Sequence, residues 1–418
     1  MRLRELFNNK TLFGLTVIFG LIFGVFFYDF IDKRIGFSYI DEIIALALTI
    51  LYFSNDSIKT HKISDGLILV IIAFSAMLAY SVKLQYQPLP AILNDAASLI
   101  KPFLFYFCAV KFGADFPEAH KRFLVQIAFF GLFCCVILGV FGESAINQVF
   151  IRPSRFATCV VICSFILLLF YKSYRPMIWL FIATLAVSIL SFRSKAIGFF
   201  AFATLFAVFF GSSITKRKFR ISKRTIAATI LVGGITIFSS WEKIQFYFFE
   251  GSVADNIFAR PALYIGAYDI AQDHFPLGGG FASFASNASA VNYSPLYYIY
   301  GMSEVDGLSY ENTYFAADSF YPQILGQFGF LGLLAFFAMG ITLLLQSYKF
   351  YRNNGKPVNF IIDILAISFF AIESIADTTF THNRGAFMML ILGINHGSSL
   401  KNYYEQQYLA KQNYDPEI

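Results

Sequence analysis

Uncharged runs long enough to cross a hydrocarbon layer recur from one end of this chain to the other, and nothing else in the sequence constrains its fold as strongly. A helix needs about 20 apolar residues to span roughly 30 Å of hydrocarbon. Runs approaching that length lie at 11–30, 37–53, 66–83, 90–110, 123–141, 156–171, 177–191, 195–212, 225–240, 319–347, 358–379 and 385–398. Only 14% of the 418 residues are charged and 57% are hydrophobic, whereas average soluble domains carry roughly 25% charged residues. A water-soluble fold of this size has no interior large enough for so much apolar surface, so a soluble enzyme is excluded. The recurrence of the runs argues equally against a single-span or interfacial protein. The expected class is all-α: a polytopic membrane helix bundle of about 12 transmembrane helices.

The basic residues orient such a bundle. With the N-terminus inside, 21 of the 32 Lys and Arg residues fall on cytoplasmic segments, which places both termini in the cytoplasm. The run Lys216–Arg224 is then an inside anchor, and no nucleic-acid partner is expected. The first apolar run follows Met1-Arg-Leu-Arg without a small-residue cleavage site and reads as a retained helix. The five Cys lie inside apolar runs with no His nearby in sequence, so they read as small buried hydrophobes and no metal site is expected. The 53 Phe read as lipid-facing filler.

One connection breaks the pattern of short loops. The chain divides into spans one to nine over 1–240, a loop over 241–318, spans ten to twelve over 319–398, and a tail over 399–418. The loop falls outside by the charge rule. Loops this long are functional or disordered, and this one, rich in Tyr, Phe and Gly, is expected to fold. Its segment from Phe258 reads as a helix started by Pro261. Arg260 then sits at the helix N-terminus against the dipole, where a cation and free N–H groups together make an anion site. Pro276-Leu-Gly-Gly-Gly stops the helix. It lacks the Lys-Ser/Thr ending of a phosphate loop and reads as a tight turn. Tyr293, Tyr297, Tyr298, Tyr300, Tyr310 and Tyr314 suit either a membrane-interface belt or the faces of sugars. Asp318 is either the N-cap of span ten or a carboxylate facing the loop.

Charges within or beside spans are costly and point to function. Arg193, in Ser191-Phe-Arg-Ser-Lys, sits in the tight link between spans seven and eight, where it snorkels or binds an anion. Glu373 and Asp377 lie one turn apart on one face, with His382 and Arg384 close behind. An outward cluster of Arg193, Arg384, Glu373 and Asp377 is geometrically feasible. Asp95, Lys101 and Pro102 suggest a local polar kink in span four.

The order of these parts resembles a family. Ser191-Phe-Arg-Ser-Lys resembles the Ser-Arg-Ser/Gly signature of the O-antigen ligase and O-antigen polymerase (Wzy-type) superfamily. Arg260 to Gly280 is similar to its outer-loop motif. Asp318-Ser-Phe-Tyr-Pro-Gln-Ile-Leu-Gly-Gln-Phe-Gly resembles its exit from that loop. The likeness covers about residues 155–345. Ligases of the superfamily carry His-Asn at the loop exit, where this chain has Asp318-Ser319, and that departure favours a polymerase. The resemblance implies a GT-C-like bundle in the bacterial inner membrane, with one large, partly helical periplasmic loop.

It also implies glycosyl transfer between a polyprenyl-pyrophosphate-linked oligosaccharide donor and a similarly linked acceptor. The accessory partners would be a flippase and a chain-length regulator. No metal or other cofactor is implied. The expected reacting residues are Arg260 and Arg193, meeting the leaving pyrophosphate, with Asp318 or Glu373 as base. Arg384, Asp377, Tyr264, Tyr314 and Gly278 are expected to bind substrate. A ligase that passes glycan to lipid A core, a lipid-glycan flippase or transporter, and a structural membrane protein are the rivals. The absence of matching half-repeats argues against the transporter.

Overall fold

The computed structural model describes residues 8–54, 61–170, 174–218, 257–353 and 355–414, with a few isolated positions between 219 and 256. Every described element is helical. The helices are α1 (Asn9–Phe26), whose second half is π-helical, α2 (Tyr28–Ile35), α3 (Ile40–Phe53), α4 (His61–Leu84), α5 (Leu89–Gly113), α6 (Glu118–Phe141), α7 (Glu143–Val149) and α8 (Pro153–Phe170). Next come α9 (Tyr174–Leu185), α10 (Ser194–Thr215), α11 (Ala259–Asp273), α12 (Asn287–Val291) and α13 (Pro295–Ile299), then α14 (Phe320–Arg352), α15 (Pro357–Glu373) and α16 (Asn383–Tyr414). Seven segments are long and apolar enough to cross a membrane: Asn9–Phe26, Asp65–Leu84, Leu89–Gly113, Glu118–Phe141, Pro153–Phe170, Ser194–Thr215 and Phe320–Arg352. Each expected span coincides with a helix except 225–240, most of which lies outside the described residues, as do Lys243 and the loop's first residues up to 256.

Several expected spans are shorter or more broken than their composition implied. α3 has 14 residues, about 21 Å at 1.5 Å per residue, because Gly36 in the left-handed region has already ended α2 and turned the chain. The run 177–191 is α-helical only to Leu185 and finishes as a 3-10 helix over Ala186–Ser191. The expected kink in span four is not found as such: α5 continues through Pro102. Its polar residues serve other elements instead. Lys101 pairs with Asp41 and Glu42 of α3, and Asp95 accepts the Ala282 N–H at 2.7 Å.

The bundle packs by close backbone approach. α5 and α16 lie so near that a Cβ on Gly393 would come within 2.5 Å of the Tyr106 carbonyl oxygen, and one on Gly397 within 2.4 Å of that of Val110. Small residues at such contacts are what hold helices together where lipid removes the hydrophobic drive. At one end of the bundle Asp115 takes both Lys10 (2.8 Å) and Lys401 (2.7 Å). Arg384 sits at the other end of α16, about 17 residues away, or about 26 Å.

Residues 257–318 fold around an apolar core of their own, with Leu263, Ala267, Ile270, Phe284, Tyr297 and Leu308 fully buried. The segment is tied to the bundle at Gly278–Gly280. The Gly279 and Gly280 N–H groups donate to the carbonyls of Gly326 and Gln327, both at 2.8 Å. α14 receives this turn at a break, Gly329 (φ 64, ψ −164). The three glycines are therefore a docking turn whose N–H groups are partly spent on carbonyls, and Gly278 meets backbone where a substrate contact was expected. Gly329→Ala should be destabilising by at least about 1–3 kcal/mol, since a side chain is strained at that dihedral pair and its Cβ would fall 2.3 Å from the Pro276 carbonyl oxygen. The midpoint of thermal unfolding in detergent measures it.

Candidate functional site

The end of the bundle that carries Arg384 holds a polar pocket of about 40 Å³. Three segments build it. The first is the start of α8, supplying Arg152, Ser154, Arg155 and Thr158. The second is the end of the loop segment, Ala317 and Asp318. The third is the connector from α15 into α16, with Asp377, Thr379, His382, Asn383 and Arg384. Both α8 and α16 thus open onto the pocket with their N-termini. First-turn N–H groups have no intrahelical partner and favour an anion.

Three arginines add to that field. Arg384 is 3% exposed. It donates through Nη2 to Asp29 Oδ2 (2.7 Å) and the Val25 carbonyl (2.9 Å). Its buried Nε has no partner among the described residues. Arg155 shares Asp29 from the other side, so one fully buried carboxylate aligns two guanidinium groups. Arg152 lies 4.6 Å from the Tyr314 ring centre and pairs with no carboxylate among the described residues. Guanidinium forks match phosphate oxygens two at a time.

Two carboxylates face the same space, each held by a cation from outside it. Asp318 Oδ2 accepts from Arg260 Nε (2.8 Å) and Nη2 (2.6 Å). Burial pushes the Asp318 carboxyl above the usual range, although Arg260 pulls the other way. Asp377 pairs with Lys195. Burial would raise it too, but Lys195 and His382 overcome that and bring it to about 2. Burial and Arg155 hold His382 down to about 4. At neutral pH the imidazole is therefore uncharged, with Nε2 3.2 Å from Thr378 Oγ1.

The structure brings several expected residues together and separates others. Asp318, Asp377 and Arg384 line the pocket, Arg260 reaches it through Asp318, and Tyr314 borders it through Arg152. Tyr264 donates to the Ile375 carbonyl at 3.0 Å, which pins α11 to the connector. Glu373 is 2% exposed and absent from the pocket wall; its Oε2 takes Lys195 at 2.7 Å. The expected cluster of Arg193, Arg384, Glu373 and Asp377 needs correcting. Lys195 joins the two carboxylates, while Arg193 turns away to an exposed pair with Glu143 at 3.1 Å. The reason is local: Arg193 is the extended N-cap of α10 and Lys195 lies in its first helical turn, so the two side chains leave on different sides. Arg384 belongs to Asp29 instead of that cluster.

Other expectations shift by a residue or two. Ser319, not Asp318, occupies the N-cap position of α14, because the Asp318 carboxylate is engaged by Arg260. Helix α11 begins at Ala259, so Pro261 is its third residue. The loop tyrosines divide: Tyr297 is fully buried, whereas Tyr298, Tyr310 and Tyr314 are exposed.

Arg152, Arg155, Lys195 and Asp29 were missing from the expected site. A signal for the first two was present. Arg152-Pro153-Ser154-Arg155 repeats the Arg-Pro helix opening seen at Arg260-Pro261. Asp29 carried a signal too, as a carboxylate inside the expected span 11–30, although its partner Arg384 is 355 residues away. Among the described residues no cluster of His, Cys, Asp and Glu is arranged to hold a metal ion. The chemistry of the pocket is the guide to its use, since no protein-family model matches the chain and a search of the curated proteins finds no match.

Proposed function

We propose that the chain is a polysaccharide polymerase of the bacterial inner membrane, joining polyprenyl-pyrophosphate-linked repeat units by glycosyl transfer on the periplasmic side. One observation carries this reading: Arg152, Arg155 and Arg384 meet two helix N-termini in one pocket, at the bundle end opposite Lys10 and Lys401. The resemblance of the Arg260 and Asp318 motifs supports it. Seven described segments are long and apolar enough to cross a membrane, which supports a polytopic bundle; twelve spans, cytoplasmic termini and an outside loop over 241–318 are part of the proposal.

In the proposed reaction the bond between the donor's anomeric carbon and the pyrophosphate oxygen breaks, and the acceptor hydroxyl oxygen bonds to that carbon. The hydroxyl proton passes to a carboxylate, and polyprenyl pyrophosphate leaves. The arginines stabilise the charge that grows on the leaving oxygen. Asp318 is the better base of the two pocket carboxylates, because its raised pKa lies nearer the working pH than that of Asp377. Arg260 orients Asp318, and Lys195 with Glu373 fixes Asp377. A flippase supplies the lipid-linked repeats and a chain-length regulator limits their extension.

Purified protein given two lipid-linked repeats should form a doubled glycan still linked to the acceptor's polyprenyl pyrophosphate and release the donor's lipid pyrophosphate. Relocation without a new glycosidic bond would make it a transporter. Transfer only to lipid A core would make it a ligase. The pH profile supplies a second test. Asp318 must be ionised to accept the proton, so the rate should fall on the acid side as pH drops through its raised pKa. Asp377, at about 2, and His382, at about 4, are past their transitions near neutrality and give no such limb. Asp318→Asn should lose most of the rate and the acid limb with it. Arg193→Ala should leave the glycan ladder close to normal, because an exposed ion pair contributes about 0–1 kcal/mol.

A further inference from the structure

A second concavity adjoins the polar pocket and is lined almost wholly by carbon. A cavity of about 140 Å³ lies between α14, α15 and α16, bounded by Phe336, Gly340 and Leu344, Ile367 and Phe370, and Met389. The two concavities share walls. Thr379 lines the polar one and its neighbour Phe380 the apolar one. Asp318 lines the polar one and Tyr321, three residues on, the apolar one. Phe380 is held by ring contacts to Phe336 (5.6 Å) and Phe370 (5.3 Å), so the shared wall is firmly packed. Phe337 and Ile341, also on the wall, are 46% and 57% exposed, which leaves the groove open sideways, toward lipid in the proposed bundle.

An anion pocket beside an apolar groove, with one layer of side chains between them, is complementary to one amphiphile, a phosphate head on a hydrocarbon chain. We infer that the groove seats the first isoprene units of the polyprenyl pyrophosphate whose head occupies the polar pocket. The inference rests on the proposed function and adds to it the path of the lipid, which enters between α14 and the α15–α16 pair with its tail still in the membrane. The sugar then faces the loop segment. Gly340 is the place to test this. A Cβ there meets only Ile367 Cγ2, at 3.8 Å, so a side chain begun at Gly340 enters the groove at ordinary contact distance.

The experiment uses the full chain in nanodiscs of phosphatidylethanolamine and a polyprenyl pyrophosphate carrying a photoactivatable diazirine on its first isoprene units. Label should map to the α14, α15 and α16 residues of the groove. Unlabelled polyprenyl pyrophosphate should displace it, and added phospholipid should not. Gly340→Trp should cut labelling and raise KM for the long-chain lipid-linked repeat about tenfold or more. Arg193→Ala, in an exposed pair outside both concavities, should leave the rate unchanged on the long-chain repeat and on a repeat carried by a water-soluble one-isoprene pyrophosphate. Leu344→Trp serves as the second variant should Gly340→Trp fail to elute as a monodisperse species. Label elsewhere, displacement by phospholipid, or unchanged labelling in both variants overturns the inference. If the parent protein labels in the groove yet turns over neither substrate, the transfer reading fails and the lipid site stands.

Discussion

Arg155→Ala protein should fold like the parent and extend lipid-linked repeats roughly 100 to 1000 times more slowly, the loss found when one preorganised donor is taken from developing negative charge. Arg155 is the arginine on which this test is cleanest. Its side chain is 30% exposed, so its removal opens no deep cavity, and Asp29 keeps Arg384 as its partner. In cells the glycan ladder should collapse to a single repeat. Arg155→Lys should recover little, because an ammonium cannot make the two-pronged phosphate contact of a guanidinium. A normal ladder from Arg155→Ala would remove the pocket from the reaction altogether.

Asp29→Ala should behave differently, as a defect of folding. It strands the Arg384 guanidinium, 3% exposed, without its carboxylate. Breaking a buried pair from one side costs about 3–5 kcal/mol. The protein should melt at markedly lower temperature in detergent, or accumulate poorly. Asp29→Leu combined with Arg384→Leu should recover most of the stability, since apolar replacement of a whole buried pair is often neutral. It should recover none of the polymerisation. A double variant that extends glycan normally would reduce Arg384 to scaffolding.

The bundle was legible in the sequence because crossing hydrocarbon is a local demand: each helix needs its own uncharged run, and α4, α5, α6, α8, α10 and α14 announce themselves that way. The folded nature of 257–318 was legible too, from its aromatic content. The pairing of charges was not, because it is settled by contacts far apart in the chain. Arg193 and Lys195 look equally eligible until the helix start at Ser194 leaves one as the extended N-cap and puts the other in the first turn. Asp29 is one acid inside the first expected span until Arg155 and Arg384 both turn toward it. Glu373 and Asp377 were expected one turn apart on one face, but α15 ends at Glu373; Lys195 joins the two carboxylates, and only Asp377 reaches the pocket wall.

The private core of residues 257–318 has an evolutionary consequence. Leu263, Ile270, Phe284 and Tyr297 pack among themselves, whereas the pocket is framed mainly by 152–158 and 377–384. The exposed tyrosines Tyr298 and Tyr310 can therefore drift, and surface insertions can accumulate between Asn287 and Tyr314, with little strain reaching the arginines. Under the proposed function, a lineage built on this scaffold would be free to change the sugar it meets while conserving the means of gripping the carrier.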